Sequence, residues 1–201
     1  MKKPLQFNLI LGVAGTAQAE HTLVLVRRLL EIKRSIPLEL VVVATENSGT
    51  FFDHQELKKI LQDRFLVKHL DHSAEFHIPH IELAEWADLI VVYPASANII
   101  ASCAHGFTDQ LLSNIIISAR CPIYFGPTMN DAMYESKAFQ SNLKRLAALG
   151  YKLIPREKTS VFIHSRKKIV LKSFCSETSF LKTVLAELRR KLGIPKSKSK
   201  K

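Results

Sequence analysis

Apolar positions along this chain fall into short continuous runs separated by stretches of helical spacing. Residues 7–13 form a nearly unbroken apolar run ending at Gly15, the pattern of a strand covered on both faces of a parallel sheet. Over residues 18–33, Leu23, Val26, Leu29 and Leu30 recur at helical spacing, with Arg27 and Arg28 on the opposite face. Residues 38–44 read as a second buried strand, 55–61 as a short helix and 65–70 as a third strand. A polar, histidine-rich loop is expected over 71–79. A helix over 80–87 leads into 89–93, the clearest strand of the chain. The helical pattern returns from 99 to 119 with an interruption near Gly106. It is followed by a strand at 122–125, a helix over 131–149 and a last core strand at 151–154.

Strands alternating with crossover helices predict an α/β fold, a mostly parallel sheet with helices on both faces. After Pro155 the pattern changes to two short apolar runs flanking Arg166, Lys167 and Lys168. This reads as a hairpin with a basic turn, and an isolated hairpin needs something to pack against. The stretch 179–192 is a closing helix. No internal repeat or linker divides residues 1–194, which are expected to form one domain. Residues 195–201 are expected to be a disordered basic tail.

Composition changes this picture little. The 201 residues suffice for one well-buried core, and 47% are hydrophobic. No apolar run reaches the length of a bilayer span and no secretory cleavage pattern opens the chain, so a cytoplasmic location with no membrane partner is expected. Three scattered cysteines, Cys103, Cys121 and Cys175, argue against a disulfide framework. No metal site is expected, because the spacing of His72, His77 and His80 matches no standard ligand set. The net charge is +11. Without the four tail lysines it is still about +7, which suits acidic or phosphorylated ligands. No nucleic-acid module accompanies it, and no nucleic-acid partner is expected.

Candidate chemistry lies in four loops that directly follow strands: 14–17, 45–48, 94–98 and 126–130. All are small, hydroxylated or amide-bearing. In open parallel sheets, ligands bind beyond the carboxyl ends of the strands. Gly15 permits close backbone approach, and Thr16 at a helix start favours a phosphate. Hydroxyls of Thr45, Ser48 and Ser96 complete such a cradle. Each loop alone reads as ordinary N-capping; four on one edge point to a shared ligand. Neither a dinucleotide fingerprint nor a P-loop is present.

The segments His80-Ile81-Glu82-Leu83, Trp86-Ala87-Asp88, Pro94-Ala95-Ser96-Ala97-Asn98, Ala104-His105-Gly106-Phe107-Thr108-Asp109-Gln110-Leu111-Leu112 and Pro127-Thr128-Met129-Asn130-Asp131-Ala132-Met133-Tyr134 carry a resemblance. In them the chain resembles the homo-oligomeric flavin-containing cysteine decarboxylases. That family includes phosphopantothenoylcysteine decarboxylase and the lantibiotic-type peptidyl-cysteine decarboxylases. The likeness is detailed over 78–136 and collinear from 7 to about 192. It implies a single flavodoxin-like (Rossmann-like) domain, bound FMN, and a homotrimer, with assembly to a homododecamer open. It further implies that Gly15, Thr16, Ala17, Thr45, Ser48, Ser96, Ala97, Asn98 and Thr128 hold the flavin. By the same resemblance His80 is the catalytic histidine, and Asn130 and Met129 bind the substrate, Asn130 at its carboxylate. The chemistry is coherent. Removing a hydride from a cysteine side chain creates a thioaldehyde that can accept the electrons of departing CO₂. A histidine, with an ordinary pKa near neutrality, can handle the proton.

The chain departs from the family pattern at Ile99, Ser102, Gln110 and Tyr134, none of them a reacting group. A further difference is in the substrate clamp, expected over about 156–175. The coenzyme A branch has an Ala-Cys-Gly motif there, where this chain has Thr159-Ser160-Val161-Phe162-Ile163-His164-Ser165. Without that cysteine the reaction is expected to stop at the oxidised enethiol, as on a peptide's C-terminal cysteine. A basic clamp would also suit an acidic peptide. The alternatives are phosphopantothenoylcysteine decarboxylase, a non-catalytic regulatory flavoprotein and, ranked low, a prenylated-flavin synthase.

Overall fold

The computed structural model describes residues 6–68, 76–155, 157–162 and 168–194, with 157–162 and 168–174 as backbone. Strands β1 (Phe7–Val13), β2 (Leu38–Ala44), β3 (Phe65–Leu66), β4 (Leu89–Ala95), β5 (Ile123–Pro127) and β6 (Lys152–Leu153) form a six-stranded sheet of order β3-β2-β1-β4-β5-β6. All its pairings are parallel. This is the Rossmann form of the doubly wound fold: the chain steps outward from β1 through β2 and β3, then returns to build the other half from β4. The expected α/β architecture is therefore present.

The apolar runs explain the burial. Every residue of β4 is buried, and β1 and β2 each leave one half-buried position. Two clusters flank the sheet. One packs Ile10, Val43, Val92 and Phe125 against Leu112, Ile115 and Leu146; the other packs Leu11, Val42 and Val91 against Leu29, Phe180 and Leu188. Each such side chain contributes roughly 1.5–3 kcal/mol on leaving water. The start of β1 is also tied by polar contacts to the segment that enters β4. The Asn8 N–H donates to Asp88 Oδ2 at 2.8 Å, and Asn8 Nδ2 to the Trp86 carbonyl at 2.8 Å.

The helices differ from the expected runs at three places. The first stretch divides into a 3₁₀ turn (Ala17–His21) and α1 (Thr22–Lys33). The run 99–119 becomes α4 (Ala97–His105) and α5 (Leu111–Ser118). The first ends at Gly106 with φ 78°, and the second opens with a capping box between Gln110 and Ser113. The run 131–149 becomes α6 (Asp131–Glu135) and α7 (Lys137–Ala148). Ser136 both donates to the Met133 carbonyl, closing α6, and accepts the Phe139 N–H, opening α7. Apolar periodicity carries across such a double cap, so the pattern alone did not reveal it. The expected core strand at 151–154 is instead the two-residue edge strand β6, whose side chains are exposed; Ile154, just past it, is buried.

The remaining helices are α2 (His54–Leu61), α3 (Pro79–Trp86) and α8 (Glu177–Leu192). Trp86 is half-buried and meets Phe76 edge-on at 6.4 Å. Strands β7 (Glu157–Phe162) and β8 (Lys168–Phe174) pair antiparallel as a separate ribbon, longer than the expected hairpin. Its basic turn, most of the histidine-rich loop and the lysine tail lie outside the described residues. Among the described residues, no helix is long and apolar enough to cross a membrane.

Candidate functional site

In this strand order the chain reverses direction across the sheet between β1 and β4, so a crevice opens beyond their carboxyl ends. Backbone bonds draw the predicted loops together there. The Ala14 N–H donates to the Pro94 carbonyl at 3.0 Å, the Thr45 N–H to Val13 at 2.8 Å and the Thr128 N–H to Ala95 at 3.0 Å. The Gly15 N–H donates to Thr45 Oγ1 at 3.2 Å. The loops after β1, β2, β4 and β5 thus form one continuous rim.

Gly15 is required by this packing. A Cβ there would stand 2.7 Å from the Asn47 carbonyl oxygen, which is backbone and cannot swing away. Thr16, next along, has Oγ1 buried with no hydrogen-bond partner among the described residues. An orphaned buried hydroxyl carries a desolvation penalty of about 1–3 kcal/mol, so this atom is set for an acceptor or donor brought by a ligand. Ala17 is exposed at the first position of the 3₁₀ turn. Thr45 is buried, and with Gly15 held on its oxygen, its own hydrogen has no acceptor among the described residues.

Ser48 is another hydroxyl expected to hold the flavin. It is fully buried, donates to the Thr45 carbonyl at 2.7 Å and lies 2.7 Å from His54 Nε2. Thr128 is likewise buried, its hydroxyl donating to the Gly126 carbonyl at 3.3 Å. Ser96 caps α4, with Oγ accepting the Ile99 N–H at 3.4 Å. Ala97 and Asn98 form the first turn of that helix, where backbone N–H groups have no intrahelical acceptor and point outward from the rim. Asn98 is exposed and Ala97 half-buried.

On the β5 side, Asn130 is the exposed N-cap of α6. Its Oδ1 accepts the Met133 N–H at 2.8 Å, which leaves the Nδ2 hydrogens facing solvent. Met129 beside it is half-buried against the core. Strand β8 lies against α6 and β5, so the β7–β8 ribbon stands over the Asn130 end of the rim. His80 occupies the second position of α3, half-buried. A helix that crosses back to a parallel strand starts at the carboxyl edge, so His80 belongs to this edge by topology. The contacts joining the other loops do not include it.

A cleft of about 420 Å³ opens beside the loop after β2, between Glu46, Asn47, Val67, Lys68, Asp109, Gln110 and Leu111, and the other three loops do not line it. Its size is that of a small-molecule site. The thiols offer no nucleophile: burial pushes Cys103 up to about 12 and Cys121 up to about 11, and Cys175 is fully buried. Sequence pattern gave no hint of Asn47 as the wall behind Gly15, nor of His54. Neither lies in an apolar repeat.

The sequence profile of the flavoprotein family matches residues 2–174. The coenzyme A biosynthesis bifunctional protein CoaBC of Haemophilus influenzae is 36% identical over 147 residues, 73% of this chain, and the match spans only 36% of that relative's length. A PPC decarboxylase mutant complexed with pantothenoylaminoethenethiol superposes with a TM-score of 0.73 at 26% identity, covering 90% of this chain and 97% of the other. The FMN-dependent cysteine decarboxylase SpaF has the same fold, with a TM-score of 0.74 at 24% identity and coverage of 94% and 98%.

Proposed function

The chain belongs to the flavoprotein family, and on that premise we propose that it binds FMN on this rim and decarboxylates a cysteinyl carboxylate, a peptide's C-terminal cysteine being the favoured substrate. The observation that carries the proposal is the orphaned Thr16 hydroxyl inside a cradle that only glycine at position 15 allows. Gly15, Thr16 and Ala17, with the free N–H groups of Ala97 and Asn98, are suited to the phosphate and its chain. Thr45 offers an unused hydroxyl hydrogen to the same ligand. Ser48 and Thr128 contribute by fixing the loops rather than by touching the cofactor.

Bound flavin supplies a two-electron acceptor for the cysteine side chain. The protein's own groups handle the rest. The Nδ2 hydrogens of Asn130 hold the substrate carboxylate without the ion pair that would stabilise it against leaving. His80 takes up the substrate thiol proton as the hydride leaves the side chain. The ribbon borders the Asn130 end of the site through the contacts of β8 with α6 and β5. The sequence from 157 to 174, the ribbon and its turn, contains no cysteine, and Cys175 just beyond it is fully buried against Gly126. This supports release of an oxidised enethiol. Exposed apolar side chains on α3 and before α5, Ile81 and Phe107 among them, support self-association, for which the family resemblance suggests a homotrimer.

A second reading, decarboxylation of phosphopantothenoylcysteine, is favoured by the identity to CoaBC. The test of the common chemistry is His80→Asn. The variant should bind FMN as the parent does and lose decarboxylation of either substrate. Full turnover by the variant would overturn the assignment of His80.

A further inference from the structure

Residues 46–50 form a 3₁₀ turn between β2 and α2, and Ser48 is its one buried side chain. Such turns have poor hydrogen-bond geometry of their own. Here the turn keeps the Ser48 N–H on Thr45 at 3.0 Å and the Phe51 N–H on Ser48 at 2.9 Å. What fastens it to the body of the protein is His54, the first residue of α2, whose Nε2 lies 2.7 Å from Ser48 Oγ. The ring is held between Phe52 at 4.9 Å and Phe65 at 5.4 Å, which fixes the direction of its nitrogen. Ser48 has a single hydroxyl hydrogen. It points to the Thr45 carbonyl, a group that only accepts, so the imidazole supplies its N–H to Ser48. Thr45 then receives the Gly15 N–H on its own hydroxyl oxygen. A continuous series therefore runs from the α2 imidazole through Ser48 and Thr45 to the glycine loop.

We infer that His54 is a positioning residue of the cofactor cradle, acting through Ser48 to hold Thr45 and the Gly15 loop in the conformation that accepts FMN. The inference rests on the cradle reading above and adds to it a residue outside the rim. It makes His54 a determinant of flavin affinity that touches neither flavin nor substrate.

The test compares FMN affinity, read by quenching of flavin fluorescence, across His54→Phe, Ser48→Ala, the double variant and His54→Gln. Phenylalanine keeps the ring between Phe52 and Phe65 and removes the donor to Ser48; glutamine restores an N–H at similar reach. His54→Phe and Ser48→Ala should each weaken FMN binding roughly five- to tenfold, the effect of one lost hydrogen bond. The double variant should be no weaker than the weaker single, and His54→Gln should recover most of the affinity. Unchanged affinity in His54→Phe would overturn the inference, as would losses that multiply in the double variant. If circular dichroism shows His54→Phe misfolded, Ser48→Ala against His54→Gln decides: a weakened alanine variant beside a near-normal glutamine variant supports the inference, and an unaffected alanine variant overturns it. A parent protein that binds no FMN would overturn the cradle itself, a result distinct from unchanged affinity in the variants.

Discussion

Replacing Asn130 by aspartate separates two tasks of one side chain. Its Oδ1 accepts the Met133 N–H at 2.8 Å and so caps α6. Aspartate caps equally well, and its charge is favourable at a helix N-terminus, so stability should stay within about 0.5 kcal/mol of the parent. The Nδ2 hydrogens are lost, however, and hydrogen bonds to a charged group are worth about 1.5–3 kcal/mol. The new carboxylate would also face the substrate's, and two such charges ~4 Å apart repel by about 1–4 kcal/mol in water-like to protein-surface surroundings. Together these losses place kcat/KM roughly 10²-fold or more below the parent. Asn130→Ala loses the cap, costing about 1 kcal/mol of stability, and the grip without the repulsion. Its kcat/KM should therefore fall between those of parent and aspartate variant. The assay is turnover of a cysteine-terminated peptide followed by mass spectrometry, alongside urea midpoints. An aspartate variant as active as the parent, or activity that simply follows stability across the three proteins, would reduce Asn130 to a helix cap.

Three further outcomes are expected. Thr16→Val keeps shape and removes the orphaned hydroxyl; the apoprotein should gain about 1 kcal/mol while FMN binding weakens roughly tenfold, and tighter FMN binding would contradict the cradle. Gly15→Ala drives a methyl against the Asn47 carbonyl, so stability should fall by about 1–3 kcal/mol in thermal or urea unfolding and flavin should be lost from the purified protein. Burial works against ionised Glu39 and Glu187, but Lys33 and Arg64 hold the first, and Tyr124, Arg190 and Lys152 the second, below the ordinary carboxylate value. Folded pKa values lowered in this way stabilise the protein above the unfolded value of about 4.3, and that stability is lost as pH falls through the folded values. Urea midpoints should therefore drop between about pH 5 and pH 3, and Glu187→Gln should flatten that limb.

The strands were legible because a parallel sheet buried on both faces leaves a continuous apolar run, as 89–95 does in every residue. Edges and breaks were not. At 152–153 an edge strand alternates too briefly to signal its exposure, and Ser136 divides a periodic helix by satisfying backbone groups on both sides. The rim was legible as four small, hydroxylated loops, and the structure joins them through Gly15, Thr45, Pro94 and Thr128. What each hydroxyl does was hidden. Thr16 and Ser48 look alike in the sequence, yet among the described residues one is left without a partner and the other is locked between a carbonyl and an imidazole. That difference depends on where neighbouring loops place their carbonyls and rings, which no local pattern encodes. His54 belongs to the same class, since its partner is set by the fold of a turn.

Mass spectrometry of a cysteine-terminated peptide incubated with the FMN-loaded protein tests the central claim most directly. The account predicts a loss of about 46 Da, CO₂ together with two hydrogens, as oxidative decarboxylation requires. An unchanged peptide, with a loss of about 44 Da from phosphopantothenoylcysteine in its place, would contradict the peptide assignment and show that electrons return to the product. No change in either substrate by a flavin-loaded protein would contradict decarboxylation altogether.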